Sequence, residues 1–319
     1  MRDRIAAGLS PLRPLATLLS PSGLRGAAVE MSWLACHAAL YPLGVVAERA
    51  GAAHRDVEAR LGLTGLTPVQ RGLFVGDVAA AGTPILLVHG MIDNRSVFTL
   101  LRRGLRRRGF GRVLTLNYSP LTRDVRVAAA VLATRVEQLC ERTGFERIHV
   151  IGHSMGGLIA RYYVQRLGGD ERVHTLVTLG TPHGGTRAAH LLPSGLARQL
   201  RPGSDLITEL ERPAPECRTR FLAVWSDLDQ LVVPKRHARI AHPDLDARSL
   251  LIRGVGHMSL PIHRRALHEI SLVLAQLDAS GATVTARVTS LASDRTDRGI
   301  PAASVDPAQV SRHRVKFRP

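Results

Sequence analysis

The chain has 319 residues, 45% of them apolar and 4% aromatic, with a formal charge of +17 at pH 7. That is enough apolar material for a sizeable core without covalent staples, and three widely spaced cysteines, Cys36, Cys140 and Cys217, argue against a disulfide framework or a zinc knuckle. Almost all the positive charge is arginine, since Lys235 and Lys316 are the only lysines. With few aromatics for base stacking and no nucleic-acid-binding signature, a nucleic-acid partner is disfavoured. An anionic membrane surface fits the charge better, unless the arginine bias only reflects base composition of the genome.

Residues 1–80 read as a helical N-terminal extension. Met1 to Leu24 mixes arginine with Pro11, Pro14 and Pro21 and makes a poor secretory signal, so a cytoplasmic location is expected. Ala27 to Ala47 is as long as a spanning helix, but Glu30, His37 and Pro42 interrupt it. Those interruptions favour a helix packed on the main domain or lying on a membrane surface over one that crosses it.

From Thr83 onward, strands and helices alternate. Apolar runs predict strands at Pro84–Val88, Val113–Tyr118, Arg147–Ile151, Val173–Leu179, Phe221–Trp225 and Leu250–Arg253, with helices at Val125–Cys140 and Ile262–Leu277. Such alternation implies an α/β fold, with a mostly parallel central sheet and helices on both faces. Between the first two strands, Leu100, Leu101 and Leu105 are expected to face inward, leaving Arg102, Arg103 and Arg106 to Arg108 as a solvated helix face or a contact for anionic lipid. Residues 186–218 break the rhythm with several prolines and a short helix, Asp205–Glu211. They read as a cap or lid over the sheet edge, with a plain surface connection as the alternative. Residues 280–319 are polar and aperiodic, and read as a disordered tail.

The third strand runs into Gly152-His153-Ser154-Met155-Gly156 and then into a predicted helix from Leu158. This strand-turn-helix context makes the G-x-S-x-G pattern a candidate nucleophile elbow, with Ser154 exposed at a helix N-terminus. A serine needs a base, and the base needs an orienting acid. Asp229, with Asp227 as its rival, follows the fifth strand, and His257 follows Gly254 and Gly256 in the loop after the sixth, so an acid and then a base follow the serine. Asp229 directly precedes Leu231-Val232-Val233, which suits a buried acid, whereas Asp227 suits a turn cap. The backbone N–H groups of Met91 and Met155 are candidates for an oxyanion hole, and His89 is read as a support for the first loop. His183 precedes the acid and so stands in the wrong chain order for the base.

Five stretches in order carry a resemblance: LLVHGM (86–91), VIGHSMGGLIARYYV (150–164), LVTLGTPHGG (176–185), WSDLDQLVVP (225–234) and RGVGHMSL (253–260). In these the chain resembles the α/β-hydrolase superfamily, and within it the bacterial lipases and esterases, over residues 81–279. The resemblance implies an α/β-hydrolase fold and a serine carboxylic-ester hydrolase acting on a lipid or hydrophobic ester without a cofactor. Some relatives carry a structural calcium, but no residues here match such a site. The same constellation serves acyltransferases and thioesterases, and a catalytically silent member that binds lipid or protein is the remaining alternative.

Overall fold

The computed structural model describes residues 78–276, apart from 92–94, 117 and 119–121, together with Pro21, Leu24, Arg25, Ala28 and Ser32. The chain divides into Met1–Ala279 and Ser280–Pro319, and every described residue belongs to the first unit. The expected tail therefore lies outside the described residues, as does the N-terminal extension apart from Val78–Ala80 and five scattered residues, the latter helical and exposed. Among the described residues no helix is long and apolar enough to cross a membrane.

In chain order the elements are α1 (Val78–Gly82), β1 (Ile85–Val88), α2 (Thr99–Arg107), β2 (Val113–Leu116), α3 (Val125–Thr143), β3 (Ile148–His153), α4 (Met155–Arg166) and β4 (Val173–Leu179). There follow α5 (Gly195–Gln199), α6 (Asp205–Glu211), β5 (Arg220–Ser226), β6 (Asp246–Ile252) and α7 (Arg264–Ala275). Among the described residues six strands form one all-parallel sheet in the order β2-β1-β3-β4-β5-β6. Central strands β1, β3 and β4 are buried along their whole length, as expected when helices cover both faces.

Alternation along the strands splits the core in two. Leu86, Val88, Val150 and Leu176 face α3, α4 and α6, whereas Ile85, Leu87, Ile151 and Val177 face α2 and α7. The long helix α3 starts at Asp124, whose carboxylate accepts from Arg126 N at 2.7 Å, and stops at Gly144 in the left-handed region (φ 73°). Register pairs Val88 with Gly152, His153 with Leu179, Leu179 with Val224, and Ser226 with Ile252. The C-terminal strand ends are therefore level, and the loops leaving them meet along one edge.

Two local expectations are corrected. Strand β6 begins at Asp246, four residues before the apolar run. It is an edge strand whose early side chains are largely exposed, so no apolar alternation marks them. On α2 only Leu101 and Leu105, one turn apart, are buried; Leu100 is rotated off that face and is 45% exposed.

His149 on β3 is fully buried and stands edge-on to His174 at 5.4 Å between ring centroids. Neither of its ring nitrogens has a hydrogen-bond partner. Burial, with His174 and Arg147 adding to it, lowers its pKa from 6.5 to about 3. The fold thus keeps this ring neutral while the unfolded chain protonates it below about pH 6.5. Its contribution to stability is complete above that pH and falls by about 1.4 kcal/mol per pH unit as the solution is acidified towards the folded value. In urea titrations, His149→Leu should flatten the acid limb of the stability profile by that slope, and an unchanged limb would contradict this assignment.

Candidate active site

Ser154 sits between β3 and α4 at φ 54° and ψ −127°, a conformation that non-glycine residues avoid. Its neighbours hold it there. Ser154 N donates to Leu179 O at 2.8 Å, Gly157 N donates to Ser154 O at 3.1 Å, and Thr181 Oγ1 donates to the same oxygen at 2.8 Å. The glycines of the turn are sterically required. A Cβ on Gly152 would stand 2.5 Å from the Gly157 backbone, and one on Gly156 would collide with the carbonyls of Val88 and His89. Gly156 thus lets the turn press against the loop after β1.

The acid and base candidates meet directly. His257 Nδ1 donates to Asp229 Oδ2 at 2.8 Å, and both side chains are buried, at 3% and 1% exposure. The other oxygen, Asp229 Oδ1, accepts from Leu231 N at 2.8 Å and Val232 N at 3.0 Å. Burial works to raise the Asp229 pKa. The facing imidazole and its hydrogen bond, with the two backbone N–H donors, outweigh burial and leave the carboxyl below its ordinary value. The acid is therefore an anion at neutral pH, bonded to the imidazole through Nδ1.

Asp227 has another task. Its Oδ1 accepts from Gly254 N at 2.7 Å, which joins the acid loop to the loop carrying His257. The local turn expected of Asp227 is made instead by Ser226, whose Oγ accepts from Leu228 N at 3.1 Å and donates to Val255 O. His153 reaches away from its neighbour Ser154, with Nε2 3.2 Å from His257 O. His183 lies within the body of the fold, with Nε2 2.9 Å from Thr178 Oγ1 and Nδ1 3.5 Å from an Arg161 nitrogen. Burial, then the Arg161 charge, pushes its pKa well below the usual histidine value.

The loop after β1 carries Met91, and Met155 opens α4. Tyr118, just beyond β2, shares its hydroxyl proton between His89 O and Gly90 O, both at 2.9 Å, and its ring stacks on His89 at 4.4 Å. Sequence reasoning passed over Tyr118 because nothing local distinguishes it. It also missed Gly180 (φ 56°), where a Cβ would lie 2.9 Å from His257 Nδ1 and 3.1 Å from Asp229 Oδ2. The GTPHGG stretch was the available signal for Gly180.

Ser154, His257 and Met91 line one cavity of about 320 Å³, near the lower end of the range for small-molecule sites. Its other walls are mainly apolar. Ala188, Ala189, Ala197 and Leu200 come from the segment between β4 and β5, and Val232 from the acid loop. That segment is tied down at several points. Arg126 forms a two-pronged ion pair with Glu209 (3.0 and 2.8 Å), and buried Arg161 donates to Leu210 O at 2.9 Å. Thr186 Oγ1 donates to Leu231 O at 2.7 Å. Burial lowers the Arg161 pKa to about 10, so it keeps its charge at neutral pH.

Residues 83–201 match the family model described as alpha/beta hydrolase fold. Two curated bacterial relatives are both named triacylglycerol lipase. That of Burkholderia plantarii is 29% identical over 169 residues, covering 48% of this chain and 46% of its own length. That of Pseudarthrobacter phenanthrenivorans is 28% identical over 134 residues, covering 37% and 41%. The chain thus spans less than half the length of the curated relatives it matches. Among solved structures, the mature form of a Bacillus licheniformis lipase superposes with a TM-score of 0.52 at 16% identity, over 62% of this chain and 93% of that one. Lipase B of Aspergillus fumigatus gives 0.54 at 15% identity, over 61% and 53%. At such identities these likenesses speak for the fold. Over residues 83–201 the chain is thus similar to the α/β-hydrolase fold family. Over less than half of their length it is similar to these bacterial triacylglycerol lipases.

The buried Asp229–His257 hydrogen bond is checkable without any substrate. A slowly exchanging, far-downfield imidazole N–H signal is expected in the proton NMR spectrum, displaced or lost in Asp229→Asn and kept in Asp227→Asn. The opposite pattern would make Asp227 the partner of His257.

Proposed function

We propose that the chain is a serine carboxylic-ester hydrolase that cleaves lipid or other hydrophobic acyl esters. One observation carries the proposal above the rest: a strained serine and a buried, carboxylate-bonded histidine open onto the same apolar cavity. A polar or charged acyl group would lose its hydration against alanine, leucine and valine side chains, whereas an alkyl chain gains about 25 cal/mol for each Å² it buries.

In the proposed cycle, Ser154 Oγ attacks the acyl carbonyl carbon and passes its proton to His257 Nε2. Asp229 keeps the imidazole in the tautomer with Nδ1–H and stabilises the imidazolium that forms. The carbonyl oxygen becomes an oxyanion facing the N–H groups of Met91 and Met155, the latter at the positive end of α4. Collapse of the adduct expels the alcohol, which takes the proton from His257, and leaves an acyl ester on Ser154. Water then attacks that ester while His257 accepts its proton, and the acid is released. No cofactor enters these steps. The small side chains Ala188, Ala189 and Ala197 make room for the acyl chain, so the segment between β4 and β5 acts as the substrate-shaping cap.

The test is hydrolysis of p-nitrophenyl acyl esters by the full chain. Ser154→Ala should lower kcat by at least about 10³-fold with the melting curve preserved, and Asp229→Asn should lower it by about 10³ to 10⁴-fold. Retained turnover in Ser154→Ala would refute the assignment.

A further inference from the structure

The loop that follows β1 owes its shape to a residue from a different strand end. Tyr118 is 8% exposed, and its ring lies nearly parallel to that of His89, at 10°. Its single hydroxyl proton is shared between the carbonyls of His89 and Gly90, each 2.9 Å from the oxygen. A second donor converges on Gly90 O. His89 Nδ1 stands 2.9 Å from it, and since a carbonyl oxygen only accepts, that nitrogen carries the ring proton. One carbonyl oxygen therefore receives hydrogen bonds from a phenol and an imidazole.

The peptide in question joins Gly90 to Met91 and is trans. In a trans peptide the C=O and the following N–H point in opposite directions within one plane. Holding Gly90 O against Tyr118 and His89 therefore turns Met91 N–H the other way. Tyr118 is absent from the lining of the cavity that Ser154, His257 and Met91 share, so the two ends of this peptide address two different places. Hydrogen bonds to a peptide oxygen also polarise the same group's N–H, strengthening it as a donor by about 10–30% per bond.

We propose that Tyr118 is a positioning residue for catalysis: through the Gly90 carbonyl, and with His89 as its helper, it aims and polarises Met91 N–H at the oxyanion. This rests on the ester-hydrolase reading above, because it gives the Met91 N–H a developing charge to meet. A preset donor of this kind acts chiefly on the tetrahedral state, where the negative charge resides, and little on the bound ester.

Tyr118→Phe keeps the ring and its stack on His89 while deleting only the hydroxyl. Active sites are first counted by fluorophosphonate titration. Turnover per titrated site, KM, and the Ki of an alkyl trifluoromethyl ketone are then measured with the wild type and the variant. The ketone takes up Ser154 Oγ as a hemiketal, its oxygen becoming the oxyanion and the serine proton moving to His257. Loss of one oxyanion donor outright costs about 10² to 10³-fold, so misdirecting one should lower kcat per site by about tenfold or more. KM should stay within about twofold, and the ketone Ki should rise by the same factor as kcat falls. A purely structural role would lower the melting temperature or the titratable fraction and leave kcat per site and Ki unchanged, which overturns the proposal. If the wild type neither hydrolyses the ester nor takes up the fluorophosphonate at Ser154, the hydrolase reading has failed and this inference falls with it. Failure of the Tyr118 role alone shows as a fully active variant.

Discussion

A serine at φ 54° and ψ −127° relaxes unless its surroundings forbid it, and such backbone strain costs about 1–3 kcal/mol. The rest of the structure can be understood as what holds that one residue in place. Strand β3 is locked between β1 and β4 and delivers the chain to the turn, while β4 extends a carbonyl to Ser154 N. Thr181 closes the turn from the following loop, and the flanking glycines allow backbone to touch backbone where any side chain would intrude. The turn also begins α4, whose free N–H groups gather beside the serine. Strain, close packing and a local field of positive sign thus arise from one junction.

The charged part of the site answers a different problem. A carboxylate at 1% exposure is tolerable only with several donors, and Asp229 has two backbone N–H groups on one oxygen and an imidazole on the other. Because Asp227, Ser226 and Gly180 fix the two loops that bring Asp229 and His257 together, the pair is set before any ligand arrives. Pre-set polar groups in a water-poor cavity spend little free energy on reorganisation when charge develops. The apolar walls, contributed largely by the segment after β4, supply that environment.

Much of this was legible in the chain because its signals are local. The strand-turn-helix pattern around Ser154, the order of acid and base after it, and the alternation that implies a parallel sheet each depend on neighbouring residues. Asp229 could be preferred over Asp227 because an apolar run follows it, and the two acids do have different partners. What stayed hidden depends on contacts between distant segments. Tyr118 reaches a carbonyl 28 residues away, Asp227 an N–H 27 residues away, and Arg161 a carbonyl 49 residues away. The start of β6 was hidden for the opposite reason, since an exposed edge strand needs no apolar alternation.

The claim on which everything else leans is that Ser154 becomes acylated. Mixing the chain with a p-nitrophenyl ester, quenching in acid within the first turnover and mapping the peptides by mass spectrometry tests it most directly. The account predicts a burst of p-nitrophenol close to one equivalent per chain, with the added acyl mass on the peptide containing Ser154 and nowhere else. Turnover without any acylated peptide, or acyl mass carried by a residue other than Ser154, would contradict it.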